Sequence, residues 1–431
     1  MGCLLSILRS AVALVLGVVV FVGFLLLLLT NFSDKLLNAD FYNEIIAGEN
    51  TYNRIYDEVL LDKDLEGTRN GLLGEVQVVS DQDMVSLLRQ IIPPEYLQSQ
   101  VEGAIGRTAG YFKEDAETLD LYIDLGPPLD NVKPALFSYI DRRIGALREE
   151  ELGRLECTPQ RVIEVAGRFR SSLEDLSTGQ VPGAIPSIKG FDPLCRLLVF
   201  ELTFDLVVAQ SGLDERAKQG LRDRRQEIER QFVDGESKQM LKVAAQPLAA
   251  PLIDDAIGQI RNELDGQDRL DLIHRIAVWN DDLTETQIRE NAGEARTWVS
   301  RARKFGKSVA LAMLIGGAAL LGLVHFPSLK GALRWPGLTL MLTGLVFLVI
   351  GKVLESQAPD RLRELVERGS GGTGSVPSSV NALGGDLLVS FGKHMVGGID
   401  GLALAVLIIG AVLFGASFFV FLLRSRFPGL R

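Results

Sequence analysis

Apolar positions are spread very unevenly along the chain. One unbroken run lies near the N-terminus, three more fall in the last quarter, and about 275 residues of mixed charge separate them. Ala11–Thr30 (AVALVLGVVVFVGFLLLLLT) carries no charge, and Leu4, Leu5, Ile7 and Leu8 extend its apolar character backward. About 20 residues at ~1.5 Å rise cross a ~30 Å hydrocarbon core. The run is longer than the apolar region of a secretory leader, and no small-x-small pattern separates it from Asn31-Phe32-Ser33-Asp34. It therefore reads as an uncleaved signal anchor, with a cleaved leader as the alternative. The second run, Ser308–Val324, is short, but His325 and Phe326 can extend it into an interface. A connection (HFPSLKGALRWP) with Trp335 placed as an interfacial anchor leads to the third, Leu338–Val353, so these two predict a transmembrane hairpin. The fourth, Leu402–Leu423, is charge-free and ends at Arg424 and Arg426. The expected layout is an anchor over 1–33, a soluble domain over 34–307, a hairpin over 308–353, a connecting segment over 354–399 and a last span with a short basic tail over 400–431.

Within 34–307 the spacing is mostly helical. Asp40–Leu60 places Phe41, Ile45, Ile46, Tyr52, Ile55 and Tyr56 at helical intervals, and Met84–Ile92 and Glu95–Phe112 repeat the pattern on either side of Pro93-Pro94. Thr118–Leu125 changes period: Leu119, Leu121, Ile123 and Leu125 alternate with polar neighbours, which predicts one half-buried strand of unidentified partner. Val132–Leu147 and a charged stretch follow, and Asp214–Phe232 reads as helix, a solvated face with ion pairs of both signs. Pro247 and Pro251 are expected to break the helix that follows, and Ile253–Trp298 to run as a stalk toward the membrane. Between spans three and four, Asp360–Arg368 predicts a short amphipathic helix (Leu362, Leu365, Val366), then a Gly/Ser linker, then an amphipathic helix over Val380–Met395 lying on the bilayer surface. The fold class is mainly α: about four transmembrane helices, a large helical domain between the first and second, and a minor β element.

Charge narrows the partners. Asp34–Lys307 holds 49 acidic residues against 34 basic ones, a net of about −15. Such a surface repels phosphate backbones, so nucleic acid is not an expected partner and the lipid bilayer is. Cys157 and Cys195, 38 positions apart with Pro159 and Pro193 close by, look like a loop-closing disulfide, which needs an oxidising compartment; two unrelated buried thiols are the alternative. Orientation signals conflict. With the N-terminus inside, Arg9, the Lys330/Arg334 connection and the tail arginines are all cytoplasmic, while Arg296, Arg301, Arg303, Lys304 and Lys307 crowd the outer side of the second span. Long domains after a signal anchor translocate largely regardless of charge, and Asp34, Asp40 and Glu44 follow the first span, so the domain is expected outside a plasma (inner) membrane.

Catalytic chemistry is not legible. No span carries an ionisable residue at its middle, which argues against a pump. Gly316, Gly317, Ala318, Gly322, Ala411 and Gly415 offer small-residue faces for packing within the chain or for a dimer contact. His274, His325 and His394 lie far apart, and no Gly-x-Ser-x-Gly, His-Glu-x-x-His, Walker or dinucleotide fingerprint is present. Asp120, Asp124 and Asp130 lack the surroundings of a calcium loop and read as a solvated face. No catalytic, cofactor or metal residues are assigned. Met1-Gly2-Cys3 fits a loose acylation pattern and Asn31-Phe32-Ser33 a sequon, neither expected to be used beside a spanning helix. The Pro/Gly-rich stretch before Cys195 (STGQVPGAIPSIKGFDP) predicts a long ordered loop and is the leading recognition surface, a plain connector being its alternative.

The segments FYNEIIAGENTYNRIYDEVL and IIPPEYLQSQVEGAIGRTAGYFKEDAETLDLYIDL, with the paired CTP and DPLCR, resemble a group of bacterial membrane proteins of no known activity met in Chloroflexi-type genomes. The similarity covers about the first 200 residues and the overall plan. It implies one N-terminal span, an extracytoplasmic helical domain and C-terminal spans in a bacterial envelope, and carries over no functional residue. The expected function is a membrane-anchored, non-enzymatic interaction or ligand-binding module, with another envelope protein as candidate partner; the alternative is a membrane-embedded enzyme or transporter accessory subunit. A cluster of His274 with carboxylates would favour the second.

Overall fold

The computed structural model describes residues 2–65, 81–151, 156–177, 182–210, 212–279, 283–326, 328–370 and 377–426. The protein is mainly α-helical, with four helices long and apolar enough to cross a membrane and two small sheets among the described residues. It divides into two compact units that do not follow the sequence boundary at 34–307: Met1–Arg54 with Val101–Leu121 and Ile273–Arg431, and Ile55–Gln100 with Tyr122–Leu272.

The first unit contains the apolar helices. Helix α1 (Gly2–Leu36) is followed by α2 (Ala39–Gly48), whose Asn38 cap accepts the Asp40 amide, and by α3 (Thr51–Arg54) after a left-handed turn at Asn50. The chain returns to this unit after α4 (Asp81–Ile91) and along α5 (Pro94–Lys113). It returns again for its last three helices, α13 (Glu285–Val324), α14 (Leu329–Ser370) and α15 (Ser378–Arg426). Val20, Phe24 and Leu28, one face of α1 at i, i+4 spacing, are buried against Leu321, Leu340, Phe347 and Ala403. Much of the remaining apolar surface of these helices points outward, as at Leu14, Ile315, Leu323 and Val412.

The long helices correct the reading of short flanking ones. Asp360–Arg368 and Val380–Met395 are not separate surface helices: the first continues α14 beyond the third apolar run, and the second is the front of α15, unbroken into the fourth. The physical reason is in the pairing, because α14 and α15 stay in contact along their length, so residues polar enough to leave a bilayer still have a helix to pack on. The linker after Ser370 lies outside the described residues, as do the side chains of Leu365 and Val366. Charge pairs lace the polar ends of this hairpin: Lys352 with Asp400 at 2.9 Å, and Asp386 between Arg54 (3.1 Å) and Arg363 (4.0 Å).

The hairpin closes on glycine. A Cβ at Gly344 would stand 2.6 Å from the Leu407 nitrogen and 2.7 Å from the Ala403 oxygen, and one at Gly337 2.5 Å from the Phe414 nitrogen. Gly410 faces them from α15, and Gly351 repeats the seven-residue spacing. On the other pair, Gly23 of α1 meets α13 at Leu314 and Met313, and Gly317 meets Val20. Of the small residues singled out in the sequence, Gly316 and Gly415 face open space.

Helix α13 joins a charged half to an apolar half without a break. Thr284 and Gln287 form a capping box at its start, and the charged half is tied to the segment after α5. Arg296 donates to the carbonyls of Ala116 (2.8 Å) and Glu117 (3.1 Å) and lies over the Tyr111 ring. Lys304 pairs with Glu114 at 2.8 Å, holding that carboxyl below the usual carboxylate range. Arg303 lies 3.6 Å from Asp34.

The second unit is built around α11 (Ser237–Asn262), whose Met240, Leu241, Ala244, Ala245 and Leu248 are buried. Around it pack α6 (Gly126–Ala146), α7 (Pro159–Ser177), α9 (Glu215–Asp223) and α10 (Arg225–Val233), with α8 (Pro193–Gln210) against α7 and α10. Pro247 and Pro251 do not break α11, which runs through both. Each removes one backbone bond, but they are four apart and share a face, and Gly220 of α9 leaves room for the Pro247 ring: a Cβ there would stand 2.6 Å from it. Tertiary burial holds a helix that propensity alone would end.

The predicted strand is shorter than its alternation. β1 (Tyr122–Asp124) pairs antiparallel with β4 (Arg269–Asp271), Ile123 opposite Leu270, and Tyr96 and Gln100 of α5 bond the Asp124 backbone. The Pro/Gly-rich loop also contains a strand: β3 (Ala184–Ser187) runs parallel to β2 (Arg148–Glu151). β2 reads Arg-Glu-Glu-Glu, with no apolar alternation to announce it. A two-stranded sheet has only edges, which is where Pro186 is tolerated. After β4, α12 (Leu272–Trp279) leads back toward α13, so the expected stalk is spread over four elements, the end of α11, β4, α12 and the start of α13.

Candidate interaction surface

The recognition loop predicted from its prolines and glycines buries its own apolar side chains. Ile185, Ile188 and Phe191 are in the core, and the Asp192 carboxylate accepts the Cys195 amide at 3.0 Å, starting α8. Residues 178–181 lie outside the described residues. Cys157 and Cys195 are joined as a disulfide, with Cα atoms 6.1 Å apart, so the start of α8 is tied to the residues just before α7.

What the loop lacks, the helix after it displays. α8 is rich in apolar residues, and they lie on two sides of it, one buried and one exposed. Its inner face carries Cys195, Val199, Phe200 and Val208 in the core. Its outer face carries Leu194, Leu198, Leu202 and Leu206 at 79, 56, 66 and 54 % exposure, with Leu197 beside them. These four sit at strict i, i+4 intervals and form one continuous ridge. Behind α8, Phe169, Phe200, Phe204 and Phe232 stack around an apolar void of about 50 Å³. That space is too small for an organic ligand and too apolar to hold water, so the chemistry of this face is on its outside.

The ridge has a charged rim of both signs. Arg225 of α10 bridges Glu201 (2.9 Å) and Asp205 (3.1 Å) on α8 and rests on the Phe204 ring at 5.5 Å. Elsewhere, within α7, Arg161 bonds Glu164 at 2.7 Å and Arg168 adds a second contact; together they hold the Glu164 carboxyl below the usual range, Arg161 contributing most. An apolar centre with ionised, solvated edges is the anatomy of a protein contact rather than of a reaction site.

The remaining candidates are dispersed. His274 Nδ1 lies 2.6 Å from the Glu285 carboxylate, and both side chains are exposed. His325 Nδ1 faces the Leu321 carbonyl and its ring stacks on Trp335, while His394 Nδ1 faces the Ser390 carbonyl. Asp124 accepts the Gly126 amide and Asp130 pairs with Arg261; among the described residues no group of His, Cys, Asp and Glu is arranged to hold a metal. The signal the sequence reading passed over was the leucine at every fourth position from Leu194 to Leu206, a row that faces out. No family model, curated protein or solved structure matches the chain.

Proposed function

We propose that the protein is a membrane-anchored, non-enzymatic interaction module of a bacterial plasma membrane, that its charged domain lies outside the cell, and that it pairs with a second copy of itself through the α8 ridge. The observation that carries this reading is the row Leu194, Leu198, Leu202, Leu206 on the solvent side of a helix whose other side is core. Exposed leucine at this density on a charged domain marks a contact surface. The choice of a second copy rests on geometry. Ridges along i±4 rows interdigitate with ridges of the same class, and a twofold contact requires a surface that complements itself. The rim meets the same requirement, since Arg225, Glu201 and Asp205 give each copy both signs of charge.

Two features support the outward orientation: the acidic residues after the first span and a disulfide, which persists in oxidising compartments.

The test is the mass of the full chain in lipid nanodiscs and in detergent, with Leu198→Asp/Leu202→Asp beside the wild type. A wild-type dimer that becomes monomeric in the variant, with the thermal unfolding of monomer unchanged, is the expected result. A monomeric wild type across the accessible concentrations would sink the pairing, and a variant that stays dimeric would sink the ridge as its site.

A further inference from the structure

A second surface of the charged unit has the opposite character. α4 and α6 form an open cleft of about 640 Å³ lined by Asp83, Ser86, Arg89 and Gln90 from α4 and by Tyr139, Arg142 and Arg143 from α6. Three guanidiniums against one carboxylate make its lining net positive by two, in a region whose overall charge is strongly negative.

The cations are only partly used. Arg89 is positioned by Asp57 at 2.9 Å and by the Tyr56 ring at 5.2 Å, both presented by the π-helical turn Ile55–Val59, yet its Nε is buried without a partner. Arg143 lies 3.8 Å from Asp83, at the limit of an ion pair. Arg142 donates to Ser138 of its own helix and, among the described residues, pairs with no carboxylate. Tyr139 is 7 % exposed, and its hydroxyl is buried with no hydrogen-bond partner. Burial pushes the Tyr139 phenol up, so it stays a neutral donor at physiological pH. A buried hydroxyl left unpaired costs about 1–3 kcal/mol, and native proteins seldom leave one so without a use.

We propose that this cleft binds a phosphomonoester, its dianion held by Arg89, Arg142 and Arg143 with the Tyr139 hydroxyl as a further donor, and its organic part met by Ser86 and Gln90. A lining charge of plus two matches a dianion, and arginine forks match phosphoryl oxygens. The volume far exceeds inorganic phosphate and suits a small polar molecule. The phosphoryl group has two sources, a free phosphomonoester or the headgroup of an anionic lipid.

Both are tested on the full chain in phosphatidylcholine nanodiscs. Calorimetric titration with inorganic phosphate and glycerol 3-phosphate reads the free source, and the thermal shift on adding phosphatidic acid to the nanodisc reads the lipid source. Expected is saturable binding or stabilisation in one arm, weakened at least about tenfold, or 1.4 kcal/mol, by Arg142→Gln/Arg143→Gln and falling with salt. Tyr139→Phe separates recognition from folding, because it removes a hydroxyl that bonds nothing in the unliganded protein: binding should fall while unliganded stability holds. No response in either arm, or equal responses in the wild type and the arginine variant, overturns the proposal.

Discussion

The α14–α15 hairpin and the core around α11 both close helices against each other, by opposite means. In the hairpin the contact is made by what is missing: Gly337 and Gly344 of α14 and Gly410 of α15 let backbone meet backbone. In the charged unit it is made by bulk, with Leu241, Leu248, Phe169, Phe200 and Phe232 filling the space and a disulfide fastening the rim. Solvent accounts for the difference. Between helices apolar enough to sit in lipid, burying a leucine removes no water, so association depends on close approach; in water each buried side chain contributes about 1.5–3 kcal/mol by burial. The hairpin should therefore be intolerant of added volume and the core intolerant of lost volume.

Reciprocal substitutions would break that comparison most sharply. Gly344→Leu places side-chain atoms where the Leu407 nitrogen and Ala403 oxygen already are, and backbone cannot give as a side chain can. It is expected to abolish hydrogen-exchange protection along the facing stretches of α14 and α15 in the full chain. Gly415→Leu, at a position with open space around it, should leave protection unchanged. In the other region Leu248→Ala should cost about 2–5 kcal/mol, read as lost protection in α11 and the helices packed on it, with the hairpin unchanged. If Gly344→Leu is tolerated as Gly415→Leu is, glycine is not what closes the hairpin.

The disulfide comes next in size. Closing a loop of 38 residues lowers the entropy of the unfolded chain by about 4 kcal/mol at room temperature in the chain-entropy model. Reduction should therefore lower protection in α7 and α8 by up to that amount while leaving the hairpin untouched. An equal loss in both regions would show that they do not open independently.

The two regions also differ in how far they could be read from sequence. The four apolar runs were legible because length and lack of charge suffice to find them, and the helices of the charged domain because their apolar spacing is regular. Continuity was not legible: the polar extensions of α14 and α15 are held by each other, and composition does not record a pairing. Pro247 and Pro251 misled because a local rule was applied where Gly220 makes room for the ring. β2 was silent because Arg148–Glu151 carries no pattern at all. For the candidate surfaces, the loop residues drew attention by type, whereas the α8 ridge is defined by which half of an apolar helix faces out, and the cleft by arginines 53 and more positions apart in sequence from Arg89 to Arg142.

The smallest expected effect concerns Tyr52, which belongs to the unit of the apolar helices but lies outside them. It is buried, its hydroxyl has no partner, and its phenol is pushed up to about 12 by burial first and by Glu102 second. The sign follows from which state ionises first. Below pH ~10 the phenol is neutral whether the chain is folded or not; between ~10 and 12 only the unfolded chain ionises, so this residue's contribution is lost as pH rises through that window. The absorbance change of phenolate formation, measured as the difference between wild type and Tyr52→Phe, should therefore appear only above pH ~11 in the folded protein and near pH ~10 after denaturation. A phenol that titrates near 10 in the folded chain would mean that water reaches it, and that this unit, unlike the core around α11, leaves its polar groups wet.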